Sequence, residues 1–326
     1  MKRVLSVILA VFMLATFVVC GSTTAVAAAE QASYHFGFSL PTLDVTFFGH
    51  MNVALQKIYP TDRITLTILN GENNQQKQVS DIENLIGMGV DGIVLIPITI
   101  EGTLPAIRLA NEHNIPVITV DRAIAEGSGV DIVSFVGSDH YPLGLQAGEM
   151  LVEALEEHFP DAEEWKVVEL EGTPGSHPAI QRGLAINSII SANPRINKIA
   201  SLNGEFQTTT AMNIAENILT ANPDIHAFVC HNDMMAEGVR QALINHGKLR
   251  EVVIIGIDGQ ISTVEAIAEG TIHGTVIQYP DRMAVRGIEL LAEFVDGKQV
   301  DPIVYVPTDK IPPSEAQRFI DEGIAW

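Results

Sequence analysis

Two patterns of hydrophobic positions alternate along almost the whole chain after residue 33. Short continuous apolar runs, such as Val117–Val120, are typical of strands buried in a parallel sheet. Between these runs lie longer segments in which apolar residues recur three and four positions apart, as in Thr46–Ile58, and they predict amphipathic helices. The alternation of the two patterns predicts an α/β fold in which helices cover mostly parallel sheets.

The strand and helix patterns fall into two similar series that are separated near residue 138. Two such series predict two lobes, each a Rossmann-like, doubly wound parallel sheet. After a strand at residues 303–306, the pattern predicts one last helix at residues 314–322 and no further strand. A chain of 326 residues has the length expected of about two domains.

Residues 1–27 have the pattern of a secretory signal peptide. Lys2 and Arg3 precede an apolar stretch at residues 4–19, and the small residues of Ala25-Val26-Ala27 follow it. The apolar stretch is shorter than the roughly 20 residues that a membrane-spanning helix needs. We therefore expect export to the periplasm with cleavage after Ala27.

The two cysteines bear on anchoring and redox chemistry. Lipid attachment at Cys20 is an alternative to simple cleavage, although Val19 is a poor match for the small residue that precedes a lipidated cysteine. Removal of the leader would leave Cys230 alone on an apolar strand, so we expect a buried free thiol and no internal disulfide.

The charge balance narrows the range of partners. The chain has 40 acidic and 19 basic residues, which gives a net charge of −21. A nucleic-acid partner requires a basic face, so we expect none. The ten histidines show no metal-binding spacing, and the first strand is followed by no glycine-rich phosphate loop. We expect no metal and no cofactor.

Polar residues stand at the ends of several predicted strands. Asp121 and Arg122 follow one strand directly, Asn232 and Asp258 follow two others, and Gln278 ends a fourth. Each residue taken alone also suits a turn or a helix N-cap. Ligands of open α/β sheets bind at the carboxyl ends of the strands, and carboxylate, amide and guanidinium groups together suit a ring of hydroxyls.

Aromatic residues lie close to the same strand ends. Phe47 and Phe48 follow the first strand, and Phe206 precedes a predicted helix. The apolar faces of sugar rings pack against aromatic faces, although phenylalanines also fill protein cores. Because neighbouring residues of a helix point to different sides, we expect at least one of Phe47 and Phe48 to be in the core.

These residues carry a family resemblance. The chain resembles the periplasmic sugar-binding proteins of the ribose and galactose type, which share their fold with LacI-type repressors. The resemblance covers nearly all of residues 33–323, and its most specific stretches are TFF at 46–48, PVITVDR at 116–122, ELEGTPG at 169–175, RG at 182–183, HNDMMA at 231–236, GIDG at 256–259 and QYP at 278–280.

The resemblance implies two lobes joined by a three-segment hinge, with crossovers near residues 138, 278 and 306. The N-terminal lobe would comprise residues 33–138 and 279–306, and the C-terminal lobe residues 139–278 and 307–326. The implied function is capture of a sugar or polyol between the lobes and its delivery to an ABC transporter permease. We expect a monomer without enzymatic activity.

The resemblance also implies the ligand-binding residues. Hydrogen bonds to the sugar hydroxyls would come from Asp121, Arg122, Arg182, Asn232, Asp258 and Gln278. Phe47 or Phe48, with Phe206, would enclose the ring. Asp44 stands near the position of an asparagine in ribose binders, and His177 is similar to a residue of glucose/galactose binders. Pro97 and Ile180 replace an asparagine and an arginine of ribose binders, so a hexose, a furanose, a sugar alcohol and a cyclitol are all open.

Three other functions compete with this hypothesis. A periplasmic sensor subunit would bind a sugar or furanosyl signal with the same residues and present it to a membrane receptor kinase. A LacI-type transcription factor would need a basic DNA-binding head in place of the leader. A secreted glycosidase would use Asp121 and Asp258 as a carboxylate pair, but neighbouring arginines favour ionised carboxylates and therefore binding.

Overall fold

The computed structural model describes residues 33–326. The predicted leader and Cys20 lie outside the described residues. The helices are α1 (Thr46–Ile58), α2 (Gln75–Gly87), α3 (Leu104–Glu112), α4 (His140–His158), α5 (His177–Ala192), α6 (Thr208–Ala221), α7 (Asp233–Asn245), α8 (Ile261–Ala268), α9 (Pro280–Val295) and α10 (Pro313–Asp321). The strands are β1 (Tyr34–Leu40), β2 (Ile64–Asn70), β3 (Gly92–Leu95), β4 (Val117–Val120), β5 (Ser134–Gly137), β6 (Trp165–Glu171), β7 (Ile196–Asn203), β8 (Ala227–Cys230), β9 (Val253–Ile255), β10 (Thr275–Ile277), β11 (Ile303–Tyr305) and β12 (Asp309–Ile311).

The first sheet has six strands in the order β11-β5-β4-β3-β1-β2, and all its pairings are parallel. Its central strands β3 and β4 are completely buried, as continuous apolar runs predict. Helix α9 packs against β3, β4 and β5, and α1 packs against α9. These contacts place the start of α1 on the same part of the molecule as the end of β4.

The second sheet has four parallel strands in the order β7-β6-β8-β9. Isolated parallel bridges connect Ile255 to Gly274 and Asp258 to Ile277, and so bring β10 beside β9. The predicted α/β class with parallel sheets is confirmed.

One strand was not predicted from the sequence. Strand β12 pairs with β10 in antiparallel orientation, so the region around β10 is not purely parallel. Its three residues include an exposed Asp309, and only Ile311 is buried. A three-residue edge strand of this composition has too little hydrophobic periodicity to be recognised.

The chain passes between the two sheets at three places. It leaves the first sheet after β5 and enters α4, which packs on β8 and β9. It returns after β10 through α9 and leaves again after β11 to form β12. Among residues 33–326, no helix is both long enough and apolar enough to cross a membrane.

Close packing of α6 on α7 depends on a glycine. A Cβ atom at Gly238 would lie 2.3 Å from the backbone oxygen of Thr208 and 3.0 Å from the backbone nitrogen of Met212. Both contacts are with backbone atoms of α6, so a side chain could be accommodated only by moving the helix. Helix α6 follows Phe206 and α7 follows Asn232, and this contact therefore positions two candidate site residues.

We expect the substitution Gly238→Ala to destabilise the fold by about 1–3 kcal/mol, because it forces the two helices apart. Gly87, at the end of α2, is the matched control because a Cβ atom there meets nothing within 4 Å. Gly87→Ala should be neutral or stabilising by up to about 1 kcal/mol. Urea unfolding of the three proteins measures the difference, and equal midpoints for both variants would contradict the packing argument.

Candidate functional site

A small cavity lies where the carboxyl ends of strands from both sheets meet. It is lined by both aromatic and charged side chains. The lining residues are Val45, Phe47, Phe48, Asp121, Arg122, Pro178, Arg182, Phe206, Asn232, Asp258 and Gln278.

Two aspartate–arginine pairs supply the charges of this cavity. Arg122 Nε lies 3.8 Å from Asp121 Oδ2, and Arg182 Nη1 lies 3.9 Å from Asp258 Oδ1. All four residues are buried, with only 3–4% of their surface exposed. The two positive and two negative formal charges cancel, which is the arrangement that makes burial of ionic groups tolerable.

Burial shifts the pKa of each charged group in the direction that favours the neutral form of that group. It raises the pKa of the Asp121 carboxyl, and the nearby charges of Arg122 and Arg182 oppose the shift. It raises the pKa of Asp258 well above its ordinary value against the opposing charge of Arg182. Burial lowers the pKa of Arg122 to about 10, so this guanidinium is still positively charged at neutral pH.

The backbone is strained at three cavity residues. The φ angles are +59° at Asp121, +60° at Phe206 and +139° at Asp258. Non-glycine residues rarely adopt positive φ, and such strain persists only where the surrounding structure enforces it. Backbone hydrogen bonds do so here, since Asp121 donates to the Val136 carbonyl and Asp258 to the Val276 carbonyl. Strain at three residues that line the same cavity points to a functional site.

Four polar atoms of the cavity are buried without a hydrogen-bond partner among the described residues. Two are acceptors, Asp121 Oδ1 and Gln278 Oε1, and two are donors, Arg122 Nε and Arg182 Nε. An unsatisfied buried polar atom costs about 1–3 kcal/mol, so a cluster of four suggests a ligand that completes the bonding. Such a ligand must both donate and accept hydrogen bonds.

The aromatic rings enclose one of the arginines. The Arg122 guanidinium carbon lies 5.1 Å from the centroid of Phe48 and 5.7 Å from that of Phe206. Both distances are within the range of cation–π attraction. Phe47 meets Phe48 edge to face, with centroids 5.5 Å apart. Phe206 fits against Gly172, where a Cβ atom would lie 1.8 Å from the ring.

His140 belongs to the site and was not identified from the sequence. Its Nε2 lies 2.8 Å from the Asp121 carbonyl oxygen, and its Nδ1 lies 3.2 Å from Arg182 Nη2. Because arginine only donates, Nδ1 must accept and Nε2 must carry the proton. Burial, reinforced by the charge of Arg182, lowers the pKa of His140 well below its ordinary value, so the imidazole is neutral. In the sequence it could not be distinguished from an ordinary residue at a helix start.

A second buried group supports Arg182 from the other side. Arg182 donates to the backbone carbonyl of His231, and His231 Nε2 lies 3.0 Å from Glu169 Oε1. Burial opposes ionisation of Glu169, but hydrogen bonds from His231 and Lys198 lower its pKa to about 2. This ionised carboxylate holds His231, and with it the carbonyl that orients Arg182.

A family model for the periplasmic binding protein domain matches residues 36–299. The chain belongs to this family. The ribose import binding protein of Salmonella typhimurium is 30% identical to it over 300 residues, which cover 92% of this chain and 95% of that protein. The D-allose-binding periplasmic protein of Escherichia coli is 26% identical over 296 residues, 89% of this chain and 92% of that protein. The resemblance noted from the sequence is confirmed.

Solved structures agree on the fold. A crystal structure from Mycobacterium smegmatis in complex with β-D-fucofuranose superimposes on this periplasmic binding protein with a TM-score of 0.84. It is 24% identical and covers 90% of this chain and 95% of its own. The arabinose-transporter binding component of Shewanella sp. ANA-3 has a TM-score of 0.80 at 24% identity, over 88% of this chain and 95% of its own.

Nine of the eleven residues singled out from the sequence line the cavity of this binding protein, and two do not. Asp44 is exposed, and its backbone nitrogen bonds to Thr42 Oγ1 at 3.1 Å. His177 is half-buried beside the cavity, where its ring meets His140 at a centroid distance of 5.2 Å. Val45 and Pro178 line the cavity and were not predicted, because a single apolar residue at the start of a helix carries no recognisable signal.

Within residues 33–326, no group of three or more histidine, cysteine or acidic side chains is arranged to hold a metal ion. Cys230, the cysteine that the structure describes, is a buried free thiol, and burial raises its pKa well above the ordinary value. The thiol is therefore unreactive.

His177 gives the site a testable dependence on pH. Burial, with the positive charges of Arg182 and Arg122, lowers its pKa to about 4, whereas an unfolded histidine titrates near pH 6.5. Between these values the unfolded state binds more protons, so stability falls as the pH falls. From pH 7.5 to pH 5, we expect wild type to lose about 1–2 kcal/mol more than His177→Gln, measured by urea unfolding.

The exposed His246 provides the control, because His246→Gln should follow wild type at both pH values. Identical losses for wild type and His177→Gln would show that the partly buried imidazole does not resist protonation.

Proposed function

We propose that this periplasmic binding protein is the substrate-binding component of an ABC importer and captures a small neutral sugar or polyol. Similar proteins are named for import or binding of ribose, D-allose and xylitol. These names favour an import protein over a sensor subunit or a glycosidase. The cavity provides an independent argument from its own chemistry.

The proposal rests on four buried polar atoms of the cavity that have no hydrogen-bond partner among the described residues. Asp121 Oδ1 and Gln278 Oε1 can accept hydrogen bonds, and the Nε atoms of Arg122 and Arg182 can donate them. A hydroxyl group both donates and accepts, so a ring or chain of adjacent hydroxyls can satisfy all four. The rings of Phe47, Phe48 and Phe206 supply apolar surface for the C–H faces of such a ligand.

Charge restricts the ligand further. The arginines and aspartates of the cavity are already paired with one another, so a charged ligand would be desolvated without a free partner of opposite charge. A neutral monosaccharide or polyol, which bonds through hydroxyl groups alone, meets this restriction.

Pro97 distinguishes this chain from the ribose binders, and Arg122 contacts the loop that contains it. The Nη1 atom of Arg122 lies 3.1 Å from the Ile98 carbonyl oxygen and 3.3 Å from that of Pro97. The guanidinium thus reaches the loop after β3, where ribose binders place an asparagine ligand. A proline there donates no hydrogen bond, so the ligand must be recognised differently on this side.

We propose that capture proceeds by closure of two lobes, residues 33–138 with 279–306 and residues 139–278 with 307–326. Cavity residues come from both sheets, Asp121 after β4 and Asp258 after β9, so a ligand bonded to both draws the sheets together. The closed form would be recognised by the membrane permease. We also propose that the protein is exported to the periplasm and is a monomer. Light scattering after size-exclusion chromatography measures the oligomeric state.

A thermal-shift panel tests the ligand class. We expect at least one neutral compound among D-ribose, D-allose, L-arabinose, D-galactose, xylitol and myo-inositol to raise the melting temperature. D-gluconate, D-glucosamine and ribose 5-phosphate should give no shift, since each adds a charge to a balanced cavity. A shift produced only by a charged compound, or by none of the panel, would refute the assignment.

Substitution of one carboxylate tests the site itself. Asp121→Asn keeps the shape and tolerates positive φ but weakens the acceptor, so we expect affinity to fall about 10- to 100-fold. Asp44→Asn is the comparison, and it should change affinity less than about twofold because that side chain is exposed. Isothermal titration calorimetry with the best panel compound gives both values. A larger loss of affinity in Asp44→Asn than in Asp121→Asn would indicate that the ligand binds beside Asp44 instead.

A further inference from the structure

Trp326 contacts three cavity residues without lining the cavity itself. Its indole is partly buried and touches Phe47, Asp258 and Gln278. The main chain of Trp326 is held as well, because its carbonyl oxygen accepts from the Ile261 nitrogen at 2.7 Å. The side chain therefore has a defined place in the fold.

The indole N–H donates to the backbone carbonyls of two cavity residues, Asp258 and Gln278. It lies 2.9 Å from the Asp258 oxygen and 2.9 Å from the Gln278 oxygen. The side chains of this pair are joined directly, with Gln278 Nε2 donating to Asp258 Oδ1 at 2.8 Å. Asp258 has the strained φ of +139°, so its main chain depends on such external bonds.

The other side of the indole contacts the beginning of α1. Its ring centroid lies 5.6 Å from Phe47 in an edge-to-face arrangement and 5.1 Å from His50. Helix α1 packs on α9 against the first sheet, whereas Asp258 follows β9 of the second sheet. One side chain thus joins elements of both sheets immediately beside the cavity.

We propose that Trp326 is a positioning residue that couples the Asp258–Gln278 pair to the start of α1 and thereby stabilises the ligand-bound, closed form. This inference rests on the proposed function. Separation of the two sheets would break either the indole hydrogen bonds or the ring contacts with Phe47 and His50. Loss of Trp326 should therefore speed ligand release, while ligand entry into the open form is unaffected.

Two substitutions test the hydrogen bonds of the indole and its ring contacts with α1 separately. Trp326→Phe retains a ring against α1 but removes the N–H donor, and His50→Ala removes a ring partner that does not line the cavity. With D-ribose and D-allose in stopped-flow measurements, we expect each variant to raise the dissociation rate about three- to tenfold and to change the association rate less than twofold. The double variant should show less than the product of the two single effects.

Phe294→Ala is the matched control, since it removes a ring that is 41% exposed on α9. It should leave both rates unchanged. A Trp326→Phe protein with wild-type dissociation rates would overturn the proposal. The proposal would also be overturned if Trp326→Phe lowered the melting temperature of the protein equally with and without ligand. An equal decrease would indicate a purely structural role.

Hydrogen exchange without ligand keeps this test independent of the ligand class. The Gln278 amide donates to the Asp258 oxygen at 3.0 Å, and in Trp326→Phe we expect it to exchange about fivefold faster while β3 is unchanged. If no neutral compound of the thermal-shift panel binds wild type but this amide responds, the positioning role stands and the proposed ligand class is wrong. If the amide does not respond and no neutral compound binds, both ideas fail.

Discussion

Mutual neutralisation of four buried charges is the constraint on which the site depends. Asp121, Arg122, Arg182 and Asp258 come from three different parts of the chain, yet each is nearly excluded from solvent. A single charge left unpaired there would be strongly destabilising. Their separations of 3.8 and 3.9 Å within pairs are longer than tight salt bridges, so each group keeps bonding capacity for a ligand. The fold thus provides a polar cavity that is balanced in charge but incomplete in hydrogen bonds.

The surrounding structure keeps these groups in place at a cost in local strain. Positive φ angles at Asp121, Phe206 and Asp258 are maintained by sheet-edge hydrogen bonds and by close packing at Gly172. Neutral His140 lies between the Asp121 carbonyl and Arg182, and the ionised Glu169 acts on Arg182 through His231. These stabilising contacts are made by residues that do not line the cavity. Their role is to leave the cavity groups little freedom to lose on binding.

The departures from ribose binders lie in two parts of the fold, at Pro97 after β3 and at Ile180 in α5. Pro97 removes a side-chain ligand, and Arg122 turns to the carbonyls of that loop while lying between Phe48 and Phe206. Asn232, Asp258 and Gln278 belong to stretches that carry the family resemblance.

The sequence by itself determined the order of helices and strands, the α/β class and most of the cavity wall. Helix α1 and strand β4 begin and end where the pattern of hydrophobic positions placed them, because their periodicity is a local property. Parallel strands end at one edge, so polar residues after them were predictable as a group. Only the tertiary structure decided that Asp44 is exposed, that His140 joins the site, that β12 pairs with β10 and that Trp326 bridges Asp258 and Gln278. Each of these depends on contacts between distant residues, and hydrophobic periodicity carries no information about them.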